Sequence, residues 1–179
     1  TIGSLNEGFA DLISFYTLDE NERTLQGVTC MEANRDVSSP VFQDGNKKLF
    51  SKNVIKIMSS KVVVDTKRNC SSADFQAIHS LGAVFAHTTD QFISNFTTNK
   101  KTKLKVVLKW LQKLNTEYEG AIKSKNIEDS MQAAFEMMVA TTLSEFNKEA
   151  TTEVCTEVNK LYSSIGINFQ GDYLKCNAI

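Results

Sequence analysis

Apolar and polar positions alternate along this chain with a helical period over most of its length. Leu5, Phe9, Leu12, Ile13 and Tyr16 fall on one stripe, with Asn6, Glu7 and Asp11 on the other side, which predicts an amphipathic helix from about Ser4 to Tyr16. Thr17-Leu18-Asp19-Glu20 has the form of a capping box, so a second short helix is expected to carry Leu25 and Val28 toward Cys30. These N-terminal helices are expected over about 4–33. Ser38-Ser39-Pro40 and Asp44-Gly45 then predict a loop over about 34–46.

A main bundle over about 47–165 follows. Its first stretch, Lys47 to Asp65, has Phe50, Val54, Ile57 and Val64 at helical spacing but also the β-branched run Val62-Val63-Val64. Helix is the reading adopted. After Cys70, Ser71 with Asp74 can cap a helix with Phe75, Ile78, Gly82, Phe85, Phe92 and Phe96 on one face, reaching about Thr97. Asn99 and a lysine-rich turn separate it from a stretch with Leu104, Val107, Leu108, Leu111, Leu114, Tyr118 and Ile122 on one side and Lys105, Lys109 and Lys113 opposite. These two helices are expected to be antiparallel neighbours. Asn126 with Asp129 can cap a third, carrying Met131, Phe135, Met138, Thr142 and Phe146, with a break expected at the β-branched pair Thr151-Thr152. The period is lost in a tail over 166–179.

The 179 residues can bury one continuous core, so the expectation is a single all-α domain over 1–179, a bundle of about five or six helices. One proline and eight glycines supply few of the tight turns that a sandwich or barrel needs. The net charge of −1 provides no global field for nucleic acid, and no nucleic-acid partner is expected. No apolar run approaches the roughly 20 residues that span a bilayer, so no transmembrane segment is expected. Oligomeric state has no signature in the sequence.

Cys30, Cys70, Cys155 and Cys176 are far apart, without the C-x-x-C spacing of zinc or thiol redox sites. They read as two disulfides. Of the three possible pairings, Cys30 with Cys70 and Cys155 with Cys176 closes the shortest loops without crossing. Asn69-Cys70-Ser71 and Asn95-Phe96-Thr97 are glycosylation sequons, and with the cysteines they point to a secreted, extracellular protein.

Catalysis finds little to work with. His79 and His87 are the only histidines; they stand eight apart on one helix, His79 at the margin of its apolar stripe and His87 on the polar side, and read as surface or boundary residues. His87 with Asp90 is the best local metal pair, and Asp44-Gly45-Asn46 superficially resembles a calcium loop, but Lys47 and Lys48 stand where further oxygen ligands would be needed. No metal, no cofactor and no enzymatic activity are expected. The lysines at 100, 101, 103, 105, 109 and 113, with Trp110 nearby, can contact phosphate or a lipid headgroup, or form a solvated helix face.

Eleven phenylalanines and five methionines remain, several of them on one helix. Methionine is flexible and adapts to irregular partners, which suits a pocket for an apolar ligand. The reading is a secreted, non-enzymatic helical binding protein holding an apolar, lipid-like molecule, lined by Phe85, Phe92, Trp110, Met131, Phe135 and Met138. A packed core explains the same stripe. The alternative is a secreted ligand or inhibitor that acts through surface contacts with an extracellular protein.

Overall fold

The computed structural model describes residues 2–18, 37–38, 41–44, 47–50, 73–121, 127–163 and 165. Among them are five helices and one β-hairpin: α1 (Ile2–Thr17), β1 (Val41–Asp44), β2 (Lys47–Phe50), α2 (Ala73–Ser94), α3 (Lys100–Ala121), α4 (Ile127–Glu145) and α5 (Thr152–Ser163). The chain is thus helix-dominated, as its periodicity predicts. It divides into two compact units, Thr1–Asp90 and Gln91–Ile179, with the boundary inside α2.

In the first unit α1 turns Leu5, Phe9, Leu12 and Tyr16 inward, as the stripe read from the sequence predicts, while Asp11, expected on the polar side, is also buried and Ile13 is half-buried. Gly8 lies on the same side, and the reason is steric: a Cβ there would stand 2.7 Å from the Gly82 carbonyl oxygen and 2.7 Å from the Phe85 ring. The lack of a side chain at Gly8 lets α1 lie against the Gly82 backbone and the Phe85 ring of α2, with Phe9 meeting Phe85 edge-on at 6.0 Å. The helix ends at Thr17, whose hydroxyl donates to the Ile13 carbonyl at 2.7 Å. That hydroxyl is tied back into α1, and the second helix expected from Asp19 to Cys30 lies outside the described residues.

The hairpin corrects two expectations. Residues 41–44 are a strand and not part of a loop, and residues 47–50 are a strand and not the start of a helix. Val41 pairs with Phe50, Phe42 with Leu49, Gln43 with Lys48 and Asp44 with Lys47, in antiparallel register. The residues between the strands are Gly45 and Asn46, a pair whose tolerance of positive φ suits a two-residue hairpin loop. A local turn signal outweighed the helical pattern at its start, Lys47 to Phe50. Residues 51–72, which include Cys70 and Asn69, lie outside the described residues.

α2 is buried almost all round from Leu81 to Ile93, not along one narrow face: Ala83, Val84, Ala86, Thr88 and Thr89 are enclosed along with Phe85 and Phe92. It stops at Ser94, where the Asn95 and Phe96 amides bond back to Phe92 and Ile93. The second unit continues with α3, whose cap is Asn99: its Oδ1 accepts the Thr102 amide at 3.0 Å. The lysines that follow are inside the helix and not in a turn. Its inward row is Lys103, Val106, Val107, Trp110 and Leu114, so Leu108, expected inside, is 43% exposed.

α4 packs on α3 and is also enclosed on all sides, every residue from Ala133 to Val139 being buried. It ends earlier than Thr151. Asn147 takes the left-handed conformation (φ 50°), the Lys148 amide reaches the Leu143 carbonyl at 2.8 Å and the Asn147 amide reaches Ser144 at 3.3 Å. This is a Schellman closure with asparagine where glycine is usual. Thr151 then caps α5, its Oγ1 accepting the Val154 amide at 3.4 Å. The break therefore comes from a capped stop and a capped restart, with Thr151 as the start signal and Asn147 as the stop. α5 turns Cys155, Val158 and Tyr162 inward. Apart from Ile165, the residues after Ser163, Cys176 among them, lie outside the described residues.

Candidate functional site

Three places gather the chemistry expected from the sequence. The first is the His87–Asp90 pair on α2. His87 Nδ1 donates to the Val37 carbonyl at 2.6 Å, which ties a buried turn residue to the helix and leaves Nε2 as the ring's other hydrogen-bonding atom. Asp90 Oδ1 accepts the Tyr16 hydroxyl at 2.8 Å, joining α2 to the end of α1. Burial, and then the charge and hydrogen bond of Asp90, hold the Tyr16 phenol protonated far above its ordinary range. Both members of the pair are thus engaged in holding the first unit together. Among the described residues no three His, Cys, Asp or Glu side chains converge as a metal site.

The second place is the apolar interior. Phe85, Phe92, Trp110, Phe135 and Met138 are all fully or almost fully buried, and the side chain of Met131 lies outside the described residues. Phe85 belongs to the first unit, against Phe9. The others belong to the second. There Phe92 meets Phe96 edge-on at 5.4 Å, Phe96 stacks on Phe146 at 5.3 Å, and Phe135 lies tilted on Tyr162 at 4.8 Å. Phe146 closes this aromatic run at the end of α4, and Tyr162 covers Phe135 from α5. Neither residue stands out in the sequence as a partner, because their contacts span 50 and 27 positions.

Polar groups share this interior. The Thr141 and Thr142 hydroxyls donate to the carbonyls one turn back, Met137 at 2.7 Å and Met138 at 2.9 Å, so both are satisfied within α4. Glu136, only 2% exposed, accepts from Gln132 Nε2 at 3.3 Å. Burial alone raises the Tyr162 phenol well above its ordinary value.

The third place is α3. Lys103 is buried and its ammonium donates to Ser94 Oγ at 2.6 Å, binding the helix start to the end of α2. Lys105 and Lys109 both reach Glu145 at the end of α4. Their hydrogen bonds hold that carboxyl below its usual range. Lys100 and Lys101 are exposed and engage nothing among the described residues. The expected solvated face is therefore present, with two of its lysines drawn to one carboxylate.

Of the two sequons, Asn95 is exposed in the turn after α2. Asn69 lies outside the described residues, as do Cys30, Cys70 and Cys176; Cys155 is buried on α5. No helix among the described residues is long and apolar enough to cross a membrane.

Compared with protein-family models, curated proteins and solved structures, the chain matches none. Its functional reading rests on its own residues.

Proposed function

We propose that this chain is a secreted, non-enzymatic helical binding protein that acts through its surface on an extracellular protein partner. The observation that carries the surface mode is the state of the candidate ligand lining. Each of its described members is closed from solvent, and Phe85, Phe92 and Phe135 rest on aromatic neighbours at centroid distances of 4.8–6.0 Å, as in a packed core. A carrier needs part of that surface for its ligand.

The extracellular location is supported by the cysteine and sequon pattern and by the exposure of Asn95. Cys30–Cys70 and Cys155–Cys176 are the proposed pairs, and Asn95 and Asn69 the proposed glycan acceptors. A second reading, an apolar carrier, draws support from α4, where the flexible Met137 and Met138 are adjacent and fully buried on a helix enclosed all round.

Native mass spectrometry of protein secreted from eukaryotic cells separates the two, paired with a denaturing, non-reducing measurement of the same sample. The expected result is a ligand-free mass with two disulfides and glycan on Asn95. A stoichiometric apolar molecule released on denaturation would replace the surface mode with the carrier mode. Four free thiols with no secretion would remove the extracellular assignment.

A further inference from the structure

Between Asp90 and Glu117 the chain has six lysines and no acidic residue, although its net charge is only −1. α3 collects these lysines, and it starts the wrong way round electrostatically. Lys100, Lys101 and Lys103 occupy its first turn with no acidic residue among them, at the end where the helix dipole is positive. Such an arrangement weakens a helix. Asn99 satisfies the Thr102 and Lys103 amides, whereas the Lys100 and Lys101 amides have no acceptor among the described residues. Free amides, the dipole and two unengaged ammoniums thus meet at one point.

The charge continues along the helix. Lys101, Lys105 and Lys109 follow at intervals of four, one above another on the solvent side. Glu145 anchors the last two from below: its side chain is 10% exposed while theirs remain 61% and 50% exposed. One carboxylate shared by two ammoniums leaves a net positive charge, and holds both side chains in place. Leu108, 43% exposed, stands between them.

We propose that this face of α3, from Lys100 and Lys101 to Lys109, binds a sulfated polysaccharide. A linear chain of fixed anions matches a linear row of ammoniums, and sulfate is among the anions, with phosphate and carboxylate, that helix-start amides accept. Lysine contacts it as a point charge, without the bidentate fork that would select a planar group. The physiological setting of this site rests on the secreted reading. Binding by purified protein tests it without that reading.

The probe is heparin. The folded protein is expected to be retained on heparin resin and to elute at higher salt than from a sulfonate cation exchanger of matched charge density. Lys100→Gln/Lys101→Gln, which removes charge without disturbing any contact among the described residues, is expected to weaken heparin binding about tenfold at physiological salt, equivalent to about 1.4 kcal/mol. Lys148→Gln/Lys160→Gln removes the same charge elsewhere and should leave binding unchanged. Equal elution from both resins, equal loss in the two double variants, or equal competition by single-stranded DNA would each overturn the proposal in favour of generic charge attraction. Failure of secretion with heparin binding intact would instead count against the extracellular reading alone.

Discussion

Replacing Gly8 with alanine tests the closest helix approach in the first unit. The new methyl would meet the Gly82 carbonyl oxygen and the Phe85 ring, both at 2.7 Å, with the Gly82 carbonyl carbon at 3.4 Å. Relieving these contacts means moving each by at least ~0.7 Å to regain ordinary van der Waals distance. Neither neighbour yields easily. The oxygen is backbone in the interior of α2, and the ring is fully buried with Phe9 against it. Overpacking of this kind costs about 1–3 kcal/mol, while alanine in a helix interior returns about 1 kcal/mol relative to glycine. The difference is a net loss of up to about 2 kcal/mol, or up to roughly 8 °C in Tm for a chain of this size. Gly120→Ala is the matched control, because nothing lies within 4 Å of a Cβ there and α3 is exposed at that point. It should gain a few tenths to about 1 kcal/mol. Thermal and urea unfolding followed by circular dichroism would measure both. A Gly8→Ala protein as stable as Gly120→Ala would refute the close approach of α1 to α2, and with it the reason for glycine at position 8.

Asn147→Ala should cost about 1 kcal/mol through the left-handed conformation at the end of α4, and Asn147→Gly should match or exceed the parent, read as urea midpoints. Tyr16→Phe should destabilise by roughly 1–3 kcal/mol, since it removes a hydrogen bond to a carboxylate. In the parent the Tyr16 phenol stays protonated while folded, so its contribution is complete below the unfolded-state value of about 10 and is lost as pH rises beyond it. Spectrophotometric titration should show its ionisation only together with unfolding. The Glu145 carboxyl is depressed, so the contribution of its two lysine contacts is present above the ordinary carboxylate range and fades as pH falls through the lower folded value. Glu145→Gln should flatten that part of the acid unfolding curve, and an unchanged curve would mean that the lysine contacts do not persist in solution.

The sequence revealed helices best where one face meets water. α1 shows its stripe plainly, because Asn6 and Ala10 are exposed opposite Leu5, Phe9 and Leu12. For α2 and α4 a stripe was visible, yet it understated burial, since small residues such as Ala83, Ala86 and Ala134 carry little periodic contrast and are enclosed anyway. α3 shows the opposite error. Leu108 and Trp110 are both apolar and two positions apart, so they face nearly opposite ways, and only the neighbours of the folded chain decide which is buried. The hairpin was missed for a related reason: four-residue strands are too short for alternation to outweigh helical spacing downstream, whereas Gly45-Asn46 had already marked the turn.

The chemistry was legible in type and not in pairing. His87, Asp90 and the lysines were all visible as candidates, but Tyr16 with Asp90 and Val37 with His87 are separated by 74 and 50 positions, and no local pattern encodes such contacts. Those contacts change what the residues can do. An aspartate that accepts a tyrosine hydroxyl and a histidine that donates to a carbonyl hold segments together, and each has less capacity left for a ligand. The lysines of α3 divide along the same line. Lys103 is spent on Ser94 and lies inside, while Lys105 and Lys109 share a single carboxylate and keep most of their surface in water. What the fold consumes is structural, and what it leaves exposed and uncompensated is where a partner can act. By that criterion the positive start of α3, where Lys100 and Lys101 join unsatisfied amides, is a part of the described surface whose charge the fold itself does not require.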